Sequence, residues 1–253
     1  MSNTKQKLKN GETVLGGWTL LGHPGIVEIM AGEGFDFIVA DMEHTAIDIR
    51  SFHDMALAVK GTGCDILARL TSCDSDQAKR VLDNGANGVI VPSVNTRDIA
   101  EKAVAMVKFP PEGFRGSSLC RATGYGKDFK GYFESHNENV LVVVMLEHVD
   151  AVKNVDEILS VPGIDATFIG PYDLSASMGI AGQLDHPDLL AAQQELVDAC
   201  KRHNIPAGMH VVPVDNTELK KRIEQGIKFI ACGIDTLFIR HGCQTMLKGI
   251  REE

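Results

Sequence analysis

Short runs of consecutive apolar residues alternate along this chain with longer segments whose apolar residues recur at helical spacing. Eight of these runs are candidate β-strands: Val14–Trp18, Phe35–Asp41, Asp65–Leu70, Gly88–Pro92, Val140–Leu146, Ala166–Ile169, Pro206–Val212 and Phe229–Gly233. Most are continuously apolar rather than alternating, which is typical of strands buried on both faces of a parallel sheet.

Segments with helical periodicity lie between these runs: Ser75–Asn84, Thr96–Val107, Asp150–Leu159, His186–His203 and Asp215–Gln225. Gly85 and Gly226 follow two of them directly, at the position after a helix where glycine is preferred. The stretch Phe109–Asn139 is rich in glycine, proline and aromatic residues. It is too long for a plain connection, and we expect an irregular functional loop there.

Eight strand-and-helix units with no linker between them predict a closed α/β structure, the (β/α)8 TIM barrel. The length of 253 residues suits one such barrel or two small domains. Since no linker is present, we expect a single domain over residues 1–253. The alternative is a doubly wound open sheet, but the glycine-rich GxGxxG turn that usually accompanies it is absent from the sequence.

Charge and composition narrow the possible functions. A formal net charge of −9 argues against a general nucleic-acid-binding surface, which needs a basic excess. The polar N-terminal segment lacks the apolar core of a signal peptide, and no stretch approaches the ~20 apolar residues of a membrane span. The six cysteines are scattered without a CxxC pair, as in a reduced protein. We therefore expect a cytoplasmic protein with no nucleic-acid or membrane partner.

In a parallel barrel the active site lies at the C-terminal ends of the strands. The titratable residues at the predicted strand ends are Asp41, Glu43, His44, Arg69, Glu147, His148, Asp173 and His210, and Arg115 and Arg121 lie in the long loop. Carboxylates that follow apolar runs are costly unless they are solvated, paired or metal-bound. Glu147 and Asp173 suit Mg²⁺ or Mn²⁺, although a surface position for Glu147 and a helix cap for Asp173 remain open.

The other strand ends carry candidate acid–base and anion-binding groups. Asp41 can orient the imidazole of His44 for proton transfer, unless the cluster is a solvated corner. Arg69 ends a buried-looking strand and predicts either a structural ion pair or an oxyanion clamp. No lysine lies inside a predicted strand, which disfavours a Schiff-base mechanism.

Five motifs occur together from the second strand onward: FDFIVADMEH (35–44), LARL (67–70), FPPEGFRG (109–116), MLE (145–147) and GIDATFIGPYDLSASMG (163–179). With these motifs in this order, the chain resembles the metal-dependent (class II) pyruvate aldolases of the HpcH/HpaI type. These enzymes cleave 4-hydroxy-2-oxoheptanedioate and 2-dehydro-3-deoxyglucarate. The resemblance covers nearly the whole chain, from Gly16 to about Asp235.

The resemblance implies a fold, a reaction and an assembly. The fold is a barrel of the phosphoenolpyruvate/pyruvate type, whose last helix is exchanged between subunits of a hexamer built as a trimer of dimers. The reaction cleaves or forms a 4-hydroxy-2-oxo acid, giving pyruvate and an aldehyde through a pyruvate enolate. A related enolate lyase, such as an oxaloacetate decarboxylase or a malyl-CoA-type lyase, is the alternative. A non-catalytic small-molecule-binding barrel is a third possibility.

The resemblance also implies roles for individual residues. Glu147 and Asp173 are the implied ligands of a divalent metal, Mg, Mn or Co. Arg69 is implied to hold pyruvate and stabilise its enolate oxygen, and His44 with Asp41 is implied to be the acid–base apparatus. The implied substrate-binding residues are Trp18, Met145, Gly170, Pro171, Ser175 and His210.

Two of these positions depart from the family pattern. Met145 stands where the family usually has glutamine, and His210 stands where it usually has an aliphatic residue. We expect both to border the substrate pocket. The hypothesis that a polar or anionic group of the acceptor aldehyde meets His210 competes with a packed core position for this side chain.

Overall fold

The computed structural model describes residues 3–214 and 216–250 and contains a closed barrel of eight parallel strands. The strands are β1 (Val14–Thr19), β2 (Phe37–Asp41), β3 (Asp65–Arg69), β4 (Gly88–Val91), β5 (Leu141–Leu146), β6 (Ala166–Ile169), β7 (Gly208–Val211) and β8 (Phe229–Cys232). They pair in chain order, and β8 pairs with β1 to close the barrel. The predicted (β/α)8 barrel is confirmed, and each predicted strand is found within about two residues of its bounds.

Helices surround the barrel in the described residues, and the first of them lies across its N-terminal end. They are α1 (Asn3–Lys9), α2 (Pro24–Gly32), α3 (Ile49–Ala58), α4 (Ser75–Asp83), α5 (Arg97–Ala105), α6 (Phe129–Asn139), α7 (Val149–Lys153), α8 (Val155–Leu159), α9 (Pro171–Ser177), α10 (Pro187–Arg202), α11 (Asn216–Glu224) and α12 (Asp235–Leu247). The predicted helix Asp150–Leu159 is two helices that meet at Asn154. Asp215, where another helix was predicted to begin, lies outside the described residues. None of the described helices is long and apolar enough to cross a membrane.

The segment Phe109–Asn139 is irregular only in its first part, so the prediction of a loop throughout was wrong. It contains a short 3₁₀ turn, Arg121–Thr123, and then α6. The side chain of Asp128 caps α6 by accepting a hydrogen bond from the Gly131 N–H at 3.1 Å. The ring of Phe133 in α6 stacks on Phe109 at 4.5 Å, which holds the two ends of the segment together.

The two arginines of this segment lie far from the strand ends that carry the chemistry. Arg115 donates to Asp83 Oδ1 at 2.7 Å, and Arg121 donates to the carbonyl of Asn84 at 2.6 Å. Both acceptors stand at the C-terminal end of α4. Because the helices run antiparallel to the strands, this end of α4 lies at the N-terminal end of the barrel.

The core has two layers. One layer packs the outer faces of the strands against the helices, and the other fills the barrel interior with side chains such as Phe37, Leu67, Val143 and Phe229. Trp18, Met145 and Phe168 continue the interior layer. Among the buried polar residues, Asp41, Arg69 and Glu147 stand at or directly after the C-terminal ends of strands.

Candidate active site

Two adjoining cavities, of about 290 and 310 Å³, open where the strands end. The first, here called the arginine cavity, is lined by residues that include Trp18, Asp41, Arg69, Met145, Phe168, Gly170, Pro171 and His210. The second, here called the carboxylate cavity, is lined by Glu43, Ser93, Glu147, His148 and Ser177. His44 and Asp173 line both cavities, so the two form one continuous site.

Arg69 and Asp41 form a buried ion pair in the arginine cavity. They end neighbouring strands, and the register of β2 and β3 sets them directly opposite one another. Arg69 donates through Nε to Asp41 Oδ1 at 3.0 Å and through Nη2 to Asp41 Oδ2, while its Nη1 lies 3.1 Å from Glu43 Oε2. Burial alone would raise the pKa of Asp41, but the hydrogen bonds and charge of Arg69 lower it below its usual value. Two carboxylates thus fix the guanidinium in one orientation.

The imidazole of His44 lies beside Glu43 rather than beside Asp41. Its Nε2 is 3.7 Å from Glu43 Oε2, whereas Asp41 Oδ1 accepts only the backbone N–H of His44, at 3.2 Å. The His44 side chain is 60% exposed, so a proton on its ring can exchange with solvent or with a ligand. Burial raises the pKa of Glu43, although the charges of Arg69 and His44 oppose this rise. The expected orientation of the imidazole by Asp41 is therefore replaced by a contact with Glu43.

Glu147 follows β5 and is buried in the wall of the carboxylate cavity, with 5% of the residue exposed. The backbone N–H of Ser93 donates to Glu147 Oε1 at 2.7 Å. A side chain at Gly170 would place its Cβ 2.8 Å from Glu147 Oε2, so glycine is required for this close approach. Burial, assisted by the negative charges of Asp173 and Glu43, raises the pKa of Glu147. A cation bound beside Glu147 would offset both the burial of its carboxylate and the repulsion from Asp173 and Glu43.

The residues present fit a hard divalent cation. Asp173 stands in the first turn of α9, and its exposed carboxylate lines the same cavity as Glu147. The arginine at this end of the barrel pairs with Asp41 and Glu43, and within the described ranges no lysine, arginine or histidine pairs with Glu147 or Asp173. The described residues contain no group of three or more His, Cys, Asp or Glu side chains placed to hold a metal ion. Two carboxylates that leave the remaining coordination positions open would suit Mg²⁺ or Mn²⁺.

Trp18 connects several of these groups on the wall of the arginine cavity. Its indole N–H donates to Asp41 Oδ2 at 3.2 Å, and the Arg69 guanidinium lies 5.0 Å from the centre of its ring. The ring of His210 stacks on it at 5.1 Å with an angle of 27° between the planes. The indole is therefore held at its edge and on its faces, which makes this wall rigid.

His210 lines the arginine cavity as an uncharged ring. Its Nε2 lies 3.0 Å from the carbonyl oxygen of Gly233, which places the proton on Nε2 and uses that donor inside the protein. Burial lowers the pKa of His210 to about 4. A neutral imidazole cannot supply positive charge to an anionic acceptor, so this geometry argues against the contact with an anion, while a contact with a polar group of the acceptor stays a prediction.

The other predicted substrate-binding residues divide into two groups. Met145, Gly170 and Pro171 line the arginine cavity as expected. Ser175 is fully buried and does not line either cavity. Its hydroxyl donates to the carbonyl of Tyr172 at 2.6 Å and accepts the N–H of Gly182 at 3.0 Å. It holds α9 against the following loop, so we withdraw it as a direct substrate contact.

Two contacts of the site had no signal in the sequence. Ser93 supports Glu147 through its backbone N–H, which any residue would supply, and it adopts a left-handed φ of 53° to do so. The sequence places Glu43 among the charged residues at the strand ends, but its ion pair with Arg69 depends on how β2 and β3 are aligned. Both contacts are consequences of strand packing rather than of a motif.

Comparison with known proteins gives consistent matches over nearly the whole chain. Residues 15–242 match the family model described as HpcH/HpaI aldolase/citrate lyase. A curated protein of Shigella sonnei (strain Ss046), named 5-keto-4-deoxy-D-glucarate aldolase, is 34% identical over 242 residues, which cover 96% of this chain and 94% of that protein.

Solved structures give the same result. An HpcH/HpaI aldolase/citrate lyase family protein from Burkholderia cenocepacia J2315 superimposes with a TM-score of 0.95 at 29% identity, covering 100% of both chains. The structure of citrate synthase SbnG superimposes with a TM-score of 0.86 at 28% identity, covering 98% of this chain and 96% of that one.

Proposed function

The chain belongs to the HpcH/HpaI aldolase/citrate lyase family and is a carbon–carbon lyase, and we propose that it cleaves or forms 4-hydroxy-2-oxo acids. The products of cleavage are pyruvate and an aldehyde, and the intermediate is a pyruvate enolate. One observation carries the proposal: the oriented guanidinium of Arg69 adjoins a cavity in which Glu147 and Asp173 have no cationic partner among the described residues.

We assign Glu147 and Asp173 as the ligands of a divalent cation, Mg, Mn or Co. The buried carboxylate of Glu147, the nearby negative charge of Asp173 and the absence of sulfur or imidazole from the pair support a hard ion. When bound, such an ion supplies a Lewis acid that polarises the 2-oxo group of the substrate. The absence of a side chain at Gly170 leaves room for Glu147, and the N–H of Ser93 donates to its carboxylate.

Arg69 supplies the hydrogen bonds that stabilise the developing enolate oxygen. A guanidinium has five N–H donors, of which Asp41 takes two, so three remain, and Glu43 lies 3.1 Å from Nη1 as an ion-pair partner. Because Asp41 and Glu43 hold the group in place, the free donors are oriented before the reaction begins. Such preorganised donors usually make the largest contribution to stabilising charge in a transition state.

His44 removes the proton from the C4 hydroxyl during cleavage and returns it during synthesis. Its exposed ring borders both cavities, where the bond to be broken must lie. The Glu43 carboxylate, 3.7 Å away, stabilises the imidazolium that forms.

The alternatives differ in what they require of the cavity walls. Arg69 is the only lysine or arginine that lines either cavity in the described part of the chain, so the basic anchors that an acyl-CoA substrate needs are missing there. Oxaloacetate decarboxylation shares the enolate and can use the same groups. A non-catalytic role is disfavoured because the curated relatives are named as aldolases.

We further propose a homo-oligomer, a hexamer assembled as a trimer of dimers. Helix α12 is anchored only at its start, where buried Asp235 accepts a hydrogen bond from Thr19 Oγ1 at 2.7 Å. Its later apolar residues are exposed, including Ile239 at 50% and Met246 at 76%. An exposed apolar helix supports exchange of α12 between subunits. The six free cysteines support a reducing compartment, the cytoplasm.

Exchange of the methyl protons of pyruvate in D₂O tests the proposed enolate without any choice of aldehyde. We expect exchange by NMR that requires Mg²⁺ or Mn²⁺, stops with a chelator and is lost in Glu147→Gln. Asp54→Asn, in an exposed ion pair on α3, serves as the matched carboxylate control. Metal-independent exchange, or full exchange in Glu147→Gln, would contradict the proposal.

A further inference from the structure

A separate cavity of about 550 Å³ lies at the N-terminal end of the barrel, opposite the active site. Helix α1, the C-terminal end of α10 and the residues that precede β6, β7 and β8 surround it. Four lysines line it, namely Lys5, Lys9, Lys201 and Lys228, with Asp165 as the only carboxylate among the described residues, and we call it the lysine cavity. Its volume falls within the range of small-molecule sites, about 300–1,000 Å³.

The single carboxylate of the lysine cavity is already used. Asp165 Oδ2 accepts from Lys5 Nζ at 2.9 Å and from the Val142 N–H at 2.9 Å. Lys5 Nζ also donates to the carbonyl of Val140 at 2.6 Å. Lys5 and Asp165 therefore neutralise one another within the wall and leave the other three lysines to determine the charge of the cavity.

These three lysines have little negative charge near them. Lys201 lies 3.3 Å from Asp198 in an exposed pair, while Lys9 and Lys228 form no ion pair within residues 3–214 and 216–250. Burial, and beyond it the charge of Lys9, lowers the pKa of Lys5, although Asp165 opposes this. A positive cavity in a chain of net charge −9 is a local concentration of like charge that an anion would stabilise.

The floor of the lysine cavity is apolar. It includes the buried side chains of Leu8, Ile164 and Ala207. Lys9 and Lys201 stand in the last turns of α1 and α10, where a cation also interacts favourably with the helix dipole. Lys228 precedes a strand, so that explanation does not account for it. A cationic rim above an apolar floor suits an organic molecule with several negative charges.

We propose that the lysine cavity is a second ligand site, which binds a small organic polyanion bearing a phosphate group or several carboxylates. Lys9, Lys201 and Lys228 hold its anionic groups, and its carbon skeleton lies on the apolar floor. The ligand connects α1 to α10 and to the segment before β8, so its binding stabilises this end of the barrel.

Isothermal titration calorimetry on the full-length protein tests the proposal. The probes are glucose 6-phosphate and citrate, which distinguish a phosphate ligand from a polycarboxylate, together with inorganic phosphate and KCl at matched ionic strength. The variants are Lys9→Gln and Lys228→Gln. Lys130→Gln, whose side chain is 86% exposed on α6, is the matched control. Arg69→Gln is included because it should weaken binding of a probe that occupies the active site rather than the lysine cavity.

We expect one organic probe to bind once per chain and more tightly than inorganic phosphate. Each lysine substitution in the cavity should weaken binding about tenfold, the effect of losing one charge-assisted hydrogen bond, while Lys130→Gln should not. The proposal is overturned if no probe gives saturable heat above the KCl control. It is equally overturned if binding is lost in Arg69→Gln but kept in Lys9→Gln and Lys228→Gln.

Discussion

Replacing Asp41 with asparagine removes the charge that orients Arg69 while preserving the shape of the side chain. The asparagine oxygen can still accept at the Oδ1 position, where Arg69 Nε and the backbone N–H of Glu43 donate at 3.0 Å. The amide nitrogen then occupies the Oδ2 position, where Arg69 Nη2 and the Trp18 indole also donate. Two donors facing a third donor cannot form hydrogen bonds, so both contacts are lost.

The cost follows from the burial of the pair. Removing one partner of a buried ion pair costs about 3–5 kcal/mol, and Glu43, still 3.1 Å from Arg69 Nη1, compensates part of it. We expect a loss of roughly 3 kcal/mol in the free energy of unfolding, measured by urea denaturation at fixed protein concentration. Asp54→Asn, which breaks the exposed pair with Arg50, should cost no more than about 1 kcal/mol.

The pH dependence of this difference provides a second measurement. Because the folded pKa of Asp41 is lowered, its carboxylate stabilises the protein above its unfolded pKa of about 4, and this stabilisation is lost as the pH falls through the lower folded value. The difference between the parent and Asp41→Asn should be constant between pH 6 and 8 and narrow only below about pH 4. If Asp41→Asn costs no more than Asp54→Asn at pH 7, the reasoning is refuted.

Three further predictions concern catalysis. Glu147→Ala and Asp173→Ala should each abolish metal-dependent release of pyruvate in a coupled assay while circular dichroism stays unchanged; near-normal turnover in either variant would reject the ligand assignment. Arg69→Lys keeps a charge but loses the planar donors, so kcat should fall by roughly 10²–10³. A change in KM alone would instead mean that Arg69 binds the substrate and the transition state equally well. His44→Ala should slow aldol cleavage more than oxaloacetate decarboxylation, which needs no C4 hydroxyl proton transfer; equal losses would remove its acid–base role.

The residues and contacts of the active site could be predicted only in part from the sequence. Apolar runs precede Glu147, Asp173 and Arg69, and a parallel barrel brings the C-terminal ends of its strands together. The sequence therefore predicts that these three residues lie at the same end of the barrel. Their partners could not be predicted, because a contact such as that between Arg69 and Asp41 depends on the register of two strands, and the support of Glu147 by Ser93 uses a backbone N–H. Ser175 illustrates the opposite error, since a residue inside a motif can face the protein interior.

The sequence by itself determined the barrel. Strands buried on both faces are mostly apolar, so a run such as Leu141–Leu146 can be recognised from local sequence alone. The helix caps at Asp74 and Thr96 likewise mark the starts of α4 and α5. Only the tertiary structure decided that Glu43 lies beside Arg69, that His210 is a neutral ring in the cavity wall, and that four lysines surround one cavity. Burial and the distances between charges far apart in the chain govern these features, and neither quantity exists until the chain has folded.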